Sequence, residues 1–173
     1  DQTESAQVDA GPILAIVGSG SPMAHAQVAQ VAAAKSMRVR TLDDKGYQLD
    51  LVGAQSHPIG DWLIHLAPPD SGVALEGAVA RAQAAQLADF AFAAVGNLQP
   101  SALLVVGGDT AFYVLRRLGI TRLTVVEELL PGIALTFGVD RAGQRRAVVL
   151  KPGNFGDAQT LVTLQAALHA RQP

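Results

Sequence analysis

The sequence has no cysteine among its 173 residues, which removes disulfide frameworks, thiolate zinc sites, iron–sulfur clusters and cysteine nucleophiles together. That fits a reducing compartment, and the cytoplasm is the expected location. Charge is scarce: Asp, Glu, Lys and Arg make up 16% of the chain, against roughly 25% in an average soluble domain. With 49% apolar residues, the composition excludes disorder for all but the ends. A basic excess is missing too, since 13 Lys and Arg against 15 Asp and Glu leave a formal charge of −2. Without a cationic footprint for a phosphate backbone, no nucleic acid is expected as a partner. The apolar runs Ile13 to Val17 and Leu103 to Val106 are far shorter than the roughly 20 residues of a membrane span, so no membrane is expected either.

Several catalytic signatures are also missing. Gly18-Ser19-Gly20-Ser21-Pro22-Met23 lacks the third glycine of the dinucleotide fingerprint, which disfavours a nicotinamide-dependent reductase. No Gly-Lys-Ser/Thr occurs, so there is no Walker loop, and no Gly-x-Ser-x-Gly marks a hydrolase elbow. The histidines, His25, His57, His65 and His169, show no ligand spacing, and no metal site made of protein side chains is expected. His65, inside an apolar strand, reads as a satisfied core or edge residue.

What the chain does have is strand, glycine turn and helix in alternation. Ile13 to Val17 reads as a strand buried on both faces, Gly18 to Pro22 as a stop, and Met23 to about Lys35 as an alanine-rich helix with Pro22 in its first turn. Arg38 to Leu42 and Tyr47 to Val52 flank the turn signal Asp43-Asp44-Lys45-Gly46 and suggest a strand and a hairpin. Trp62 to Leu66 reads as a strand. Leu75 to Leu98 reads as a long helix with Leu87, Phe90, Ala91, Ala94, Val95 and Leu98 on one face. Ala102 to Val106 is a second buried-type strand, and Gly107-Gly108-Asp109-Thr110 opens a helix to Leu118, with Gly119 where a helix stops. Leu123 to Val126, Ile133 to Phe137 and Ala147 to Leu150 look like further strands, and Leu161, Leu164 and Leu168 mark a last helix. Glu127 and Glu128, before Pro131-Gly132, read as part of a solvated turn. The expected fold is α/β: a layered sandwich with a central, largely parallel or mixed sheet and flanking helices. Residues 1–11 read as a polar linker, 12–173 as one domain, and the whole as a piece of a longer chain.

Three glycine-rich turns follow apolar strands: Gly18 to Ser21, Gly107 to Thr110, and Gly153 to Gly156. In a parallel sheet such turns leave the carboxyl ends of the strands and can share one crevice. Glycine lets a backbone approach a phosphate, and the free amides and dipole at a helix start favour an anion. Asp109 is open to a plainer reading, as a helix N-cap, and Lys151 reads either as a point charge for a phosphate or as a solvated lysine.

Taken in order, Val17-Gly18-Ser19-Gly20-Ser21-Pro22 with Gln27, Val106-Gly107-Gly108-Asp109-Thr110, Glu128-Leu129-Leu130-Pro131-Gly132-Ile133 and Lys151-Pro152-Gly153-Asn154-Phe155-Gly156-Asp157 resemble the C-terminal nucleotide-binding domain of the four-carbon acid sugar kinase family. The resemblance spans nearly the whole chain after the opening. It implies ATP-dependent phosphorylation of threonate, erythronate or an oxo-tetronate at the terminal hydroxyl, with Mg2+ carried by the nucleotide. It also implies a preceding domain that holds the acid sugar and supplies the catalytic base. Contacts to ATP or ADP would fall to Ser19, Ser21, Gly107, Gly108, Asp109, Thr110, Gly153 and Asn154, with Asp109 the local candidate for the metal or its waters. Ala24 and Ala111 stand where the family often carries threonine and serine. The competing expectation is a non-catalytic α/β module that binds a partner protein or a small anion; a homo-oligomer is compatible with both.

Overall fold

The computed structural model describes residues 6–42, 60–68 and 77–173. Its strands are β1 (Ile13–Val17), β2 (Arg38–Leu42), β3 (Trp62–Leu66), β4 (Ala102–Val106), β5 (Thr124–Leu130), β6 (Ile133–Val139) and β7 (Arg145–Lys151). Its helices are α1 (Pro22–Ala34), α2 (Gly77–Leu98), α3 (Gly108–Leu118) and α4 (Thr160–His169). The strands form one mixed sheet in the order β2-β3-β1-β4-β7-β6-β5. The first five in that order run parallel, and β6 is antiparallel to both its neighbours. The expected α/β sandwich with a mixed sheet is therefore the fold. The hairpin strand expected at Tyr47 to Val52 lies outside the described residues.

Both central strands are buried throughout, which is why they carry unbroken apolar runs instead of alternating ones. The side chains of β1, β4 and the neighbouring β7 divide between two cores. Ile13, Ala15, Val17, Leu104, Val106 and Val149 pack with residues of α1 and α4 on one face. Leu14, Ile16, Leu103, Val105 and Val148 pack with α2 and α3 on the other. Helix α1 starts at Pro22, the residue whose fixed φ suits a first turn, and Ser21 caps it by accepting a hydrogen bond from the Ala24 amide at 3.1 Å. Helix α3 ends at Gly119 in the left-handed conformation that a glycine C-cap permits.

One expectation changes at the sheet's edge. Glu127 and Glu128 do not sit in a turn but belong to β5, whose hairpin turn is Pro131-Gly132 alone. An edge strand facing solvent tolerates carboxylates: Glu127 pairs with Arg171, and Glu128 Oε1 accepts from the Gly132 amide at 2.7 Å. At the other end of the chain, Val8 is fully buried in the α1–α4 core and its amide donates to the Arg171 carbonyl at 3.0 Å, so the polar opening is docked from that point on.

The strands' amino ends are tied by one carboxylate. Asp61, just before β3, accepts from the Ile13 amide at 2.7 Å through Oδ1, and from Gln165 Nε2 at 2.5 Å and His169 Nε2 at 2.6 Å through Oδ2. It thereby joins β1 and α4 to the start of β3.

Candidate functional site

The carboxyl ends of β1, β4 and β7 lie side by side, with Val17, Val106 and Lys151 in register. The ladder continues one residue past the strands: the Gly18 amide donates to the Val106 carbonyl at 3.2 Å, and the Gly107 amide to the Lys151 carbonyl at 3.0 Å. Three turns, the first and last of which begin 135 residues apart at Gly18 and Gly153, therefore leave the sheet at one place. This is the switch point of the topology, where the chain leaves β1 towards β2 on one side and later returns through α2 to β4 on the other.

Close packing between the turns explains their glycines. A Cβ on Gly18 would collide with Thr110 Oγ1, so Thr110, buried, fits beneath the first turn only because residue 18 has no side chain. Gly107 has φ +111°, a conformation open to glycine and strained for L-residues, and lies against the Ser19 amide.

Around these turns is an open cleft of about 440 Å3, within the range of small-molecule sites. All eight candidate residues border it: Ser19 and Ser21 from the first turn, Gly107, Gly108, Asp109 and Thr110 from the second, Gly153 and Asn154 from the third. The remaining wall is supplied by Gly18 and Gly20 and by Ala80 and Ala84 of α2. The two alanines were not foreseen, because in an alanine-rich helix nothing distinguishes a residue facing a cleft from one facing a core.

The donors are concentrated at the start of α3. Gly107 is its N-cap and offers no capping side chain, and the first bond inside the helix runs from the Ala111 amide to the Gly107 carbonyl at 2.9 Å. The amides of Gly108, Asp109 and Thr110 have no acceptor among the described residues. They are three of the orphan donors that every helix start carries, here on a cleft wall and aligned with the positive end of the helix dipole. Asp109 is exposed in the first turn and is not the N-cap, which sets aside the plainer reading of that residue. In the first turn, Ser19 Oγ accepts from the Ser21 amide at 3.2 Å, and Ser21 Oγ is engaged by Ala24. Each hydroxyl keeps its own proton to donate.

The third turn is held from behind. Gln27 of α1, fully buried, donates through Nε2 to the carbonyls of Phe155 at 3.0 Å and Asp157 at 2.7 Å. Lys151 is 2% exposed, so the solvated reading of that lysine is wrong. Its Nζ donates to the carbonyls of Pro152 at 2.7 Å and Gly153 at 3.3 Å. Burial pulls its pKa down to about 8.

One strand away from the first turn, His65 is buried against Thr41 Oγ1 at 2.8 Å and the Leu66 carbonyl at 2.9 Å. It is the satisfied residue the sequence suggested, and burial holds its pKa below the ordinary value. Among the described residues no three His, Asp or Glu side chains gather as a metal cage, and no described helix is long and apolar enough to cross a membrane.

A family model described as the nucleotide-binding C-terminal domain matches residues 14–161. A domain of unknown function from Bordetella bronchiseptica, solved with bound citrate as a domain-swapped dimer, superposes with a TM-score of 0.78 at 22% identity over 94% of this chain and 42% of its own. A second crystal form gives a TM-score of 0.73 at 27% identity over 94% and 40%. A Haemophilus influenzae protein gives 0.69 at 17% over 96% and 42%. This chain thus spans about two fifths of the length of these solved chains. No curated protein matches it. The chain belongs to the family of the nucleotide-binding C-terminal domain, the domain of four-carbon acid sugar kinases that its ordered turns resemble.

Proposed function

We propose that the chain is the ATP-binding part of a kinase that phosphorylates four-carbon acid sugars, threonate, erythronate or an oxo-tetronate, at the terminal hydroxyl. The observation that carries this reading is the cleft itself, where three glycine turns and the unpaired amides at the start of α3 meet. Donors fixed before the ligand arrives cost nothing to reorganise and can neutralise a polyphosphate as charge shifts during transfer. Residues Gly108 to Thr110 would hold phosphate oxygens through their amides, Ser19 and Ser21 would add hydroxyls, and Gly153 and Asn154 would close the far side. Small Ala80 and Ala84 leave room along the wall for the rest of the nucleotide.

The residues present fit a magnesium ion that arrives with the nucleotide. Asp109 is an exposed carboxylate at the cleft, and magnesium in phosphoryl-transfer sites is held by one or two carboxylates, phosphates and water. Bound there, the ion would spread the charge that develops on the transferred group.

Residues 12–173 would then be the C-terminal domain of a two-domain kinase. The sugar site and the base that takes the hydroxyl proton would lie in the preceding domain. Alone, the 173 residues would bind ATP or ADP without turning it over.

Gly108 provides the test, because a Cβ there meets nothing within 4 Å while the residue lines the cleft. Gly108→Val should fold normally and lose ATP and ADP binding by at least tenfold in calorimetry. Unchanged affinity in the folded variant would remove the site assignment. A wild-type chain that binds no nucleotide at millimolar concentration, yet self-associates in sedimentation, would favour the non-catalytic module.

A further inference from the structure

Lys151 is among the largest fully buried side chains of the described core, and no carboxylate among the described residues forms an ion pair with it. A buried ammonium without a counter-ion is costly to the fold. Among the described residues its hydrogen-bond partners are the carbonyls of Pro152 and Gly153, the two that open the third turn.

Peptide geometry gives those two bonds a consequence. The peptide unit is planar, and in the trans form its carbonyl and its amide hydrogen point to opposite sides of the chain; the described residues contain no cis peptide. The Pro152 carbonyl shares a plane with the Gly153 amide, and the Gly153 carbonyl with the Asn154 amide. Drawing both carbonyls to the buried ammonium turns both amides the other way. Gly153 and Asn154 line the cleft, and neither amide has an acceptor among the described residues. On the far side of the same loop, Gln27 draws in the Phe155 and Asp157 carbonyls, so the loop's acceptors are gathered inward at both ends.

We propose that Lys151 is a positioning residue of the nucleotide site: its buried ammonium orients the third turn so that the Gly153 and Asn154 amides face the phosphates, and its charge is balanced when a polyphosphate occupies the cleft. This rests on reading the cleft as a polyphosphate site. It assigns Lys151 no contact with the ligand. It also accounts for a lysine in a place where a methionine would fit the apolar surroundings at lower cost to stability.

The test uses Lys151→Met, which keeps the stem and removes the charge, and Lys151→Gln as a second variant. Calorimetry with ATP, ADP and adenosine, and amide 15N spectra without ligand, would be read for both and for the wild-type chain. Each folded variant should bind ATP and ADP on the order of tenfold more weakly, the scale of losing a charge-assisted contact. Adenosine should bind as before, and the Gly153 and Asn154 resonances should move. An equal loss for adenosine, or unmoved resonances, would overturn the positioning role while leaving the ATP site standing. A wild-type chain that binds neither ATP nor ADP overturns the site reading and, with it, the role proposed for Lys151.

Discussion

Replacing Gly153 with alanine measures how tightly the first and third turns are packed. A Cβ at residue 153 would stand 2.6 Å from Ser19 Cβ and nearer still to Ser19 Oγ, with Ser21 Oγ at 3.5 Å. A rotamer change can carry the Ser19 hydroxyl away but not its Cβ, so one of the turns has to move. Gly153 is not among the glycines with positive φ, and the penalty is therefore steric, with no conformational strain added. Inserting a methyl group into such a contact costs about 1–3 kcal/mol. For a chain of this length that lowers Tm by roughly 2–12 °C. Ser19→Gly deletes both clashing atoms, so the double variant should recover most of what Gly153→Ala loses. Urea unfolding of the four proteins would give the coupling energy directly, expected at about 1–3 kcal/mol and favourable in sign. Additive effects, within about 0.5 kcal/mol, would refute the contact between the turns.

Two further predictions concern the fold beneath the site. Burial alone would lower the pKa of His169, but the Asp61 carboxylate and the Gln172 amide oxygen, which face its two ring nitrogens, raise it above the ordinary value of 6.5. The folded state therefore holds this proton more tightly than the unfolded chain, and the stabilisation is complete below about pH 6.5 and lost as pH rises through the folded value. Urea midpoints of the wild-type chain should fall across that range, and His169→Asn should flatten the fall; a variant with the wild-type profile would exclude this pair as its source. Arg146 is buried with its Nε donating to Asp140 Oδ2 at 2.6 Å and its Nη1 to the Pro100 carbonyl at 2.9 Å. Arg146→Met leaves the Asp140 carboxylate buried without its cation and should cost on the order of 3 kcal/mol in urea unfolding, part of it regained in the double variant with Asp140→Asn.

The central strands and the cleft-bordering turns were legible because their signals are local. An unbroken apolar run such as Ala102 to Val106 followed by Gly107-Gly108 fixes both a buried strand and the turn at its end. Strand register then made the three turns neighbours, which only a parallel arrangement could imply. Lys151 was harder. Its burial follows from period two along β7, since Ala147 and Val149 on the same face are also buried, but a lysine at a strand end usually reaches water. Glu127 and Glu128 misled for the opposite reason: carboxylates beside Pro-Gly look like a turn, yet an edge strand accepts them when they find partners across the chain. Asp61 gave no signal. Its partners at residues 13, 165 and 169 are up to 108 positions away, and a lone acidic residue before a strand is ordinarily solvated.

The adjacency of β1, β4 and β7 also bears on when the cleft can exist. Its walls come from residues 18–21, Ala80 and Ala84, 107–110 and 153–154, and the strand that brings in the last of them ends at Lys151. During synthesis from the amino terminus, the first two turns can be made and paired while the third is still untranslated. The site must then wait for β7 to enter between β4 and β6, a non-local closure of the kind that slows folding. If nucleotide binding needs all three turns, as proposed above, capture of ligand by a growing chain would report β7 insertion.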